Sequence, residues 1–207
     1  MKNAKGGRVV AAIIILIGAI LLIAALVMPW YSYKIPEGPG SATINFYPDM
    51  PSTSGGIQYS CSSLPSCPSE TSYSSQNLNN TGTIAEAGFY LLIGGIVLGI
   101  IAAIIGAASR GKASRANAAV PLAVIALILA LVAPVLFAVA LPTATGNDVK
   151  NHTGSGPWSS FIGSESSASW GPAIGWYLSI GAAVLLLIGV IVLAMARKEP
   201  PPPASTP

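Results

Sequence analysis

The chain has 207 residues and a formal net charge of +3, and only 8% of its residues are charged. A soluble globular protein carries about 25% charged residues, so this composition excludes an ordinary soluble domain. The hydrophobic residues, 52% of the chain, are collected into long runs, which is typical of a membrane protein.

Four apolar runs without a charged residue are each long enough to cross about 30 Å of hydrocarbon as a helix. The first run follows Lys2, Lys5 and Arg8, as in a signal peptide. Its apolar core exceeds the roughly 7 to 15 residues of a signal, so we expect an uncleaved helix. The predicted fold is membrane all-α, a four-helix transmembrane bundle with a small antiparallel β-sheet in the first extracellular loop. In chain order, the predicted segments are a cytoplasmic N-terminus (1–8), TM1 (9–29), extracellular loop 1 with the sheet (30–83), TM2 (84–108), a cytoplasmic loop (109–117), TM3 (118–141), extracellular loop 2 (142–171), TM4 (172–196) and a cytoplasmic proline-rich tail (197–207).

The positions of the cations predict the orientation in the membrane. Lys and Arg residues precede TM1, fill the loop between TM2 and TM3 and follow TM4, so these segments share one side. The positive-inside rule makes that side the cytoplasm. We expect a protein of the plasma membrane with both termini cytoplasmic, in which only Lys34 and Lys150 are cations of the outer side.

Three stretches of the first outer loop alternate apolar and polar residues, which is the period of a half-buried strand. They are YSYKI (31–35), TINFY (43–47) and IQYSC (57–61), and turn-forming residues separate them. These stretches predict an antiparallel sheet of three or four strands. The serine-rich stretch 68–83 is predicted to be flexible and solvated, and TIAE (83–86) is predicted to form a capping box at the start of TM2.

Both cysteines of the chain, Cys61 and Cys67, fall in this outer loop. An oxidising exterior stabilises a disulfide between them, and closing so short a loop is worth roughly 2 to 3 kcal/mol. A zinc site would need about four ligands, and the chain adds only His152 and carboxylates without a recognisable spacing. We therefore predict a disulfide, with no metal and no cofactor.

Aromatic rings and glycosylation sequons also fall on the outer side. Trp30 ends TM1, while Trp170 and Trp176 flank the start of TM4, and rings in such positions commonly anchor at headgroup level. Two sequons begin at Asn79 and Asn151, again in the outer loops. The predicted roles are interface anchors for the three tryptophans and candidate glycosylation sites for the two asparagines.

Small residues recur at spacings of three, four and seven along the predicted helices, which allows helix backbones to approach closely. Such stripes serve either packing within one bundle or contact with another membrane protein, and the sequence leaves both open. Pro134, deep in TM3, is expected to kink that helix. The predicted helix-packing residues are Gly95, Gly99, Gly106, Ala123, Ala126, Ala130 and Gly175.

Four spans, a large first outer loop, the residues MPW (28–30) closing TM1, and the later pair Cys61 and Cys67 together resemble the claudin-like tetraspan superfamily. The Gly-Leu-Trp that precedes the first cysteine in that family is missing here. What the resemblance implies is a left-handed four-helix bundle capped by an extracellular sheet, used for adhesion, lateral assembly or as an auxiliary subunit.

The spans contain no charged residue for ion or proton transport, and the chain shows no nucleophile–base pair or phosphate-binding glycine loop. We therefore predict a non-enzymatic protein that acts through protein contacts, in a claudin-like structural, adhesion or lateral-assembly role. The alternative is an auxiliary subunit of a larger respiratory or transport complex. Expected partners are the lipid bilayer and either further copies of the chain or other membrane proteins, with no nucleic acid and no small-molecule substrate.

Overall fold

Four helices form the body of the molecule: α1 (Lys2–Val27), α2 (Asn79–Ala108), α3 (Ala113–Asp148) and α4 (Ile174–Met195). Each is long and apolar enough to span a membrane, and their number and order are those predicted from the sequence. The computed structural model describes residues 2–37, 40–48, 56–61, 70–109, 113–149, 156–165 and 168–196.

The helices pack as an up-and-down bundle in which neighbours in sequence contact each other and α4 returns to α1. The most extensive contacts join α2 to α3 and α1 to α4. Small side chains lie between the helices, because close van der Waals packing must replace the hydrophobic effect when helices associate in a membrane. Alanines with no exposed surface include Ala11, Ala19, Ala119, Ala123, Ala126, Ala130 and Ala182.

Three of the helices are longer than the sequence predicts: α1 begins at Lys2 rather than at 9, and α2 and α3 are both extended toward the sheet. α2 begins at Asn79 rather than at 84, and α3 ends at Asp148 rather than at 141. They have 30 and 36 residues, against 26 in α1 and 22 in α4. At 1.5 Å per residue, α2 and α3 reach about 45 and 54 Å, well beyond the roughly 30 Å of a hydrocarbon core. The extra turns before 84 in α2 and after 141 in α3 both lie at the end of the bundle where the sheet stands, which we call the sheet end. α3 is also longer at its other end, where it begins at Ala113 rather than at 118.

One antiparallel sheet covers the sheet end, with strand order β4-β3-β2-β1-β6-β5. Its strands β1 and β3 begin where the alternating stretches predict them, and β2 overlaps its predicted position. A short 3-10 turn at Ser74–Gln76 leads from the sheet to α2. Residues 70–83 therefore form a strand, a turn and the first turns of a helix, and the prediction of a flexible stretch is wrong for them. The strands are β1 (Tyr31–Glu37), β2 (Gly40–Phe46), β3 (Ile57–Cys61), β4 (Glu70–Thr71), β5 (Gly163–Glu165) and β6 (Ala168–Pro172).

The sheet has six strands instead of three or four, because the segment between α3 and α4 contributes β5 and β6. β6 pairs with β1, with Tyr31 opposite Pro172 and Tyr33 opposite Trp170. The pairing continues toward the helices, where the Ala173 amide donates to the carbonyl of Trp30 at 2.9 Å. The chain leaving α1 and the chain entering α4 thus run side by side, and both segments outside the bundle belong to one sheet.

Candidate functional site

The two faces of the sheet differ in chemistry. Tyr31, Phe46 and Ile57 point to the inner face and are 1%, 7% and 0% exposed. Cross-strand register puts Ser32 beside Asn45 on the other face, where the Ser32 hydroxyl donates to Asn45 Oδ1 at 2.9 Å. We call this second face the outer face. Its described residues include polar groups and the cation Lys34, and the register puts Glu70 of β4 opposite Gln58. Its residues include Ser32, Lys34, Thr43, Asn45, Gln58, Ser60 and Ser169.

A shallow groove of about 340 Å³ lies on the outer face where β1 meets β6. Lys34, Ser32 and Ser169 supply its polar lining, and the exposed Lys34 carries its positive charge. The groove therefore joins residues from both segments outside the bundle. Its open shape and mixed lining are typical of a protein-contact surface rather than of an enclosed small-molecule pocket.

A layer of aromatic rings fastens the inner face to the helices. The ring centroid of Phe161 lies 5.4 Å from that of Tyr31 and 6.4 Å from that of Phe137 in α3. It also lies 5.8 Å from the centroid of Trp176 at the start of α4. Aromatic pairs at these distances add about 0.5 to 1.5 kcal/mol each beyond their buried area. Phe161 is thus the centre of the attachment, and nothing in its local sequence distinguished it.

The three predicted interface anchors have different surroundings. Trp30 is completely buried, and its indole N–H donates to the carbonyl of Ala25 at 2.8 Å. Trp170 is only 5% exposed, while the half-buried Trp176 donates to the carbonyl of Pro134 at 3.0 Å. Trp30 and Trp170 are therefore core residues here, because an indole that fills the junction between sheet and bundle leaves no face for lipid. Exposed rings at this level belong instead to Tyr90 (54%) and Tyr177 (55%).

Asp148, the last residue of α3, caps the first turn of α2. Its Oδ2 accepts hydrogen bonds from the amide and the hydroxyl of Thr81, both at 2.8 Å. Its Oδ1 accepts from the amide of Asn80 at 3.0 Å and from the Asn80 side chain at 2.7 Å. A carboxylate there satisfies free amides and opposes the positive end of the helix dipole. No acidic residue lies in the first turn of α2 itself, so the cap comes from another helix.

The predicted capping box at the start of TM2 is wrong. The helix begins four residues before Thr83, so Thr83 and Glu86 lie inside α2, where amides already have helical partners. The Thr83 hydroxyl donates to the carbonyl of Asn79 at 2.9 Å, as hydroxyls do within helices. The physical reason for the earlier start is the remote carboxylate of Asp148, which stabilises turns that the local sequence does not favour.

The other end of α2 has a complementary partner. A guanidinium N–H of Arg8, in α1, donates to the carbonyl of Ser109 at 3.2 Å, just after the last residue of α2. A cation at this position opposes the negative end of the helix dipole. Charged side chains from α3 and α1 therefore oppose the dipole at the two ends of α2, which has no acidic residue in its first turn and no basic residue in its last turn.

The predicted helix-packing residues lie inside the bundle. A Cβ placed on Gly95 would lie 3.4 Å from the Ala126 carbonyl oxygen, and one on Gly99 would lie 3.7 Å from Ala19 Cβ. Gly106 and Ala130 are also buried against neighbouring helices. Gly175 is the tightest position, because a Cβ there would lie 2.6 Å from the Met28 carbonyl oxygen and 2.7 Å from Trp30. These stripes pack helix against helix within one chain.

The remaining predicted site residues are less informative. Cys61 ends β3, and the described part of the chain contains no free cysteine. Cys67 and Asn151 lie outside the described residues, so the disulfide and the second sequon stay predictions. Asn79 is exposed as the first residue of α2, although Thr81 of the same sequon is fully buried.

Two buried polar side-chain atoms, Arg8 Nε and the Tyr31 hydroxyl oxygen, have no hydrogen-bond partner among the described residues. The Tyr31 hydroxyl accepts and donates no hydrogen bond among the described residues, although its side chain is 1% exposed. Burial, with a smaller contribution from Tyr33, raises the pKa of Tyr31 well above that of a free phenol. Tyr31 thus remains neutral and serves the aromatic layer rather than acid–base chemistry.

No model of a protein family and no curated protein sequence matches this chain. Its function must therefore be inferred from its own residues and their geometry.

Proposed function

We propose that this protein is a non-enzymatic, multi-pass membrane protein whose outer sheet face makes contacts with other proteins, in a claudin-like structural, adhesion or lateral-assembly role. The observation that carries this proposal is the joining of both segments outside the bundle into one six-stranded sheet. A continuous sheet presents a broad surface of fixed shape, which suits recognition of another protein.

Rigidity of the sheet supports this role. Phe161 connects β1 to α3 and α4 through tilted and edge-to-face ring contacts, and the Asp148 carboxylate connects α3 to α2 at the same level. A surface that is ordered before binding loses less conformational entropy when it meets a partner. The sheet end is therefore organised as a preformed docking surface, held about two turns beyond the apolar parts of α2 and α3.

The length and apolar composition of the four helices support the membrane environment, and the distribution of cations supports the proposed orientation. In this arrangement the sheet lies outside the cell, and both termini lie in the cytoplasm. The auxiliary-subunit alternative depended on small-residue stripes as faces for a foreign partner. Because those stripes pack inside the bundle, we propose that the outer sheet face makes the contacts with other proteins instead.

The proposal is tested by charged substitutions on the outer face. Ser60→Arg/Ser169→Arg places two bulky cations at exposed positions on β3 and β6, and Gln76→Arg is a matched control on an exposed residue outside the sheet. We expect the double variant to lose self-association in mild detergent and cell–cell or vesicle–vesicle aggregation, at an unchanged melting temperature. Gln76→Arg should behave as the wild type.

Two results would contradict the proposal. One is normal association of the folded double variant. The other is co-purification of stoichiometric foreign subunits that the double variant retains, which would support the auxiliary-subunit alternative.

A further inference from the structure

The end of the bundle opposite the sheet collects the positive charge of the chain. α1 and α3 begin at this end, and α2 and α4 finish there. Lys2, Lys5 and Arg8 lie on the first turns of α1, and Arg115 lies on the first turn of α3. By sequence, the segments that adjoin these helix ends add Arg110, Lys112, Arg197 and Lys198, so eight of the ten cations belong to this end.

The acidic residues that the structure describes lie at the other end of the bundle, on strands or helix turns of the sheet end. They are Glu37, Glu70, Glu86, Asp148 and Glu165. By sequence, Glu199 is the one acidic residue that adjoins the basic end, so eight cations there face a single carboxylate and the end carries a large excess of positive charge.

Arg8 shows where anions that balance this charge would lie. Its guanidinium is held between α1 and α2 by the hydrogen bond to the carbonyl of Ser109, and its Nε is buried without a partner among the described residues. The next residues, Val9 and Val10, are 38% and 50% exposed and begin the apolar surface of α1. Arg8 thus stands at the boundary between apolar and polar surface, which is the depth of lipid phosphates.

The helix ends at this boundary converge. A Cβ on Gly7 would lie 3.3 Å from the Cβ of Ala196, which brings the start of α1 against the end of α4. Arg8 contacts the end of α2 in the same region. Arg8 therefore lies where α1 meets the ends of α2 and α4, rather than on an isolated tail.

We propose that the basic end binds the phosphate groups of anionic phospholipids, so that acidic lipids form a bound layer around this end of the bundle. The inference requires that the helices span a membrane but does not depend on the role of the outer sheet face. Each cation near an anionic surface favours binding by roughly fivefold at moderate salt. Three or more cations at phosphate depth are therefore enough for strong enrichment of acidic lipid.

The test measures which lipid the purified full-length protein retains from an equimolar mixture of phosphatidylglycerol and phosphatidylcholine in neutral detergent. We expect enrichment of phosphatidylglycerol by at least roughly fivefold. The variant Lys2→Gln/Lys5→Gln/Arg115→Gln keeps the Arg8 hydrogen bond and should lose most of this enrichment. Lys34→Gln, which removes an exposed cation of the sheet end, is the matched control and should retain it.

Three outcomes would overturn the inference: equal retention of both lipids by the wild type, an unchanged preference in the folded triple variant, or an equal loss in Lys34→Gln. Should the triple variant fail to fold, salt titration of the wild type replaces it. Acidic-lipid enrichment that persists from about 0.1 M to 0.5 M salt would then contradict an electrostatic site. A parallel measurement with inorganic phosphate distinguishes the lipid phosphate from free phosphate as the ligand. If free phosphate stabilised the protein as much as phosphatidylglycerol does, the basic end would be a site for soluble anions.

Discussion

Removal of the Asp148 carboxylate should destabilise the sheet end more than any other single change of a polar side chain there. Asp148→Ala deletes four hydrogen bonds to the first turn of α2. Asn80 is exposed, so water can replace its two bonds. Thr81 is fully buried, and its amide loses its only acceptor outside the helix, while its hydroxyl keeps a longer contact of 3.3 Å to Thr145.

The expected cost follows from these contacts. Loss of a helix N-cap costs about 0.5 to 2 kcal/mol. A buried donor left without an acceptor adds about 1 to 3 kcal/mol, and loss of the favourable charge at the helix end adds a few tenths to about 1 kcal/mol. Because these effects overlap, we expect the free energy of unfolding to fall by about 2 to 4 kcal/mol. In a chain of this size, such a loss lowers the melting temperature by roughly 5 to 15 °C.

The assay is thermal unfolding of purified protein in mild detergent, with Glu86→Gln as the control. Glu86 is the acid that the local sequence suggests as a cap, yet it lies inside α2, so its neutralisation should change stability by less than about 0.5 kcal/mol. Asp148→Asn should fall between the two, because its amide nitrogen would face the donors of Thr81 or Asn80. An Asp148→Ala protein as stable as the wild type, or an equal loss in Glu86→Gln, would refute the remote cap.

Three further changes test the packing. Gly95→Leu/Gly99→Leu should lower the free energy of unfolding by about 1 to 3 kcal/mol per site, measured by thermal unfolding. The control is Gly181→Leu, which should be neutral or slightly stabilising because a Cβ there meets nothing within 4 Å. Equal effects of the two changes would show that the small-residue stripe of α2 is not an interface. Gly175→Ala should lower the melting temperature, because its Cβ would lie 2.6 Å from a backbone oxygen, and normal stability would contradict that contact. Tyr31→Phe removes a buried hydroxyl that has no partner among the described residues, so the free energy of unfolding should be unchanged or up to about 1 kcal/mol higher. A clear loss of stability would show that this hydroxyl makes a hydrogen bond.

Local patterns were sufficient for the number and order of the four helices and for the starts of β1 and β3. A long apolar run placed in hydrocarbon must satisfy its backbone hydrogen bonds within the segment, which favours a helix. The four runs therefore predict α1 to α4. Alternation in 31–35 and 57–61 likewise predicts β1 and β3, because a strand with one buried face imposes period two. In both cases the determining interactions lie within the segment itself.

Long-range contacts explain what the sequence could not show. Asp148 follows Thr81 by 67 residues, and no local pattern connects a carboxylate with amides that far away. β6 contains Gly and Pro and has weak strand preference, so it pairs only because α1 and α4 lie side by side. Similarly, the sequence does not distinguish an aromatic residue that faces lipid at the end of a span from one that faces the core, as Trp30 does. The disulfide between Cys61 and Cys67 remains a prediction.

The central claim is that both segments outside the bundle lie together on the outer side of a membrane, with the chain termini on the other. Single cysteines at exposed positions test it: Ser60→Cys in β3, Ser164→Cys in β5 and Gly6→Cys at the start of α1. With wild type as the background, an impermeant thiol reagent should label Ser60→Cys and Ser164→Cys in intact cells, and Gly6→Cys only after permeabilisation. Labelling of Gly6→Cys in intact cells, or protection of either sheet position, would contradict the account.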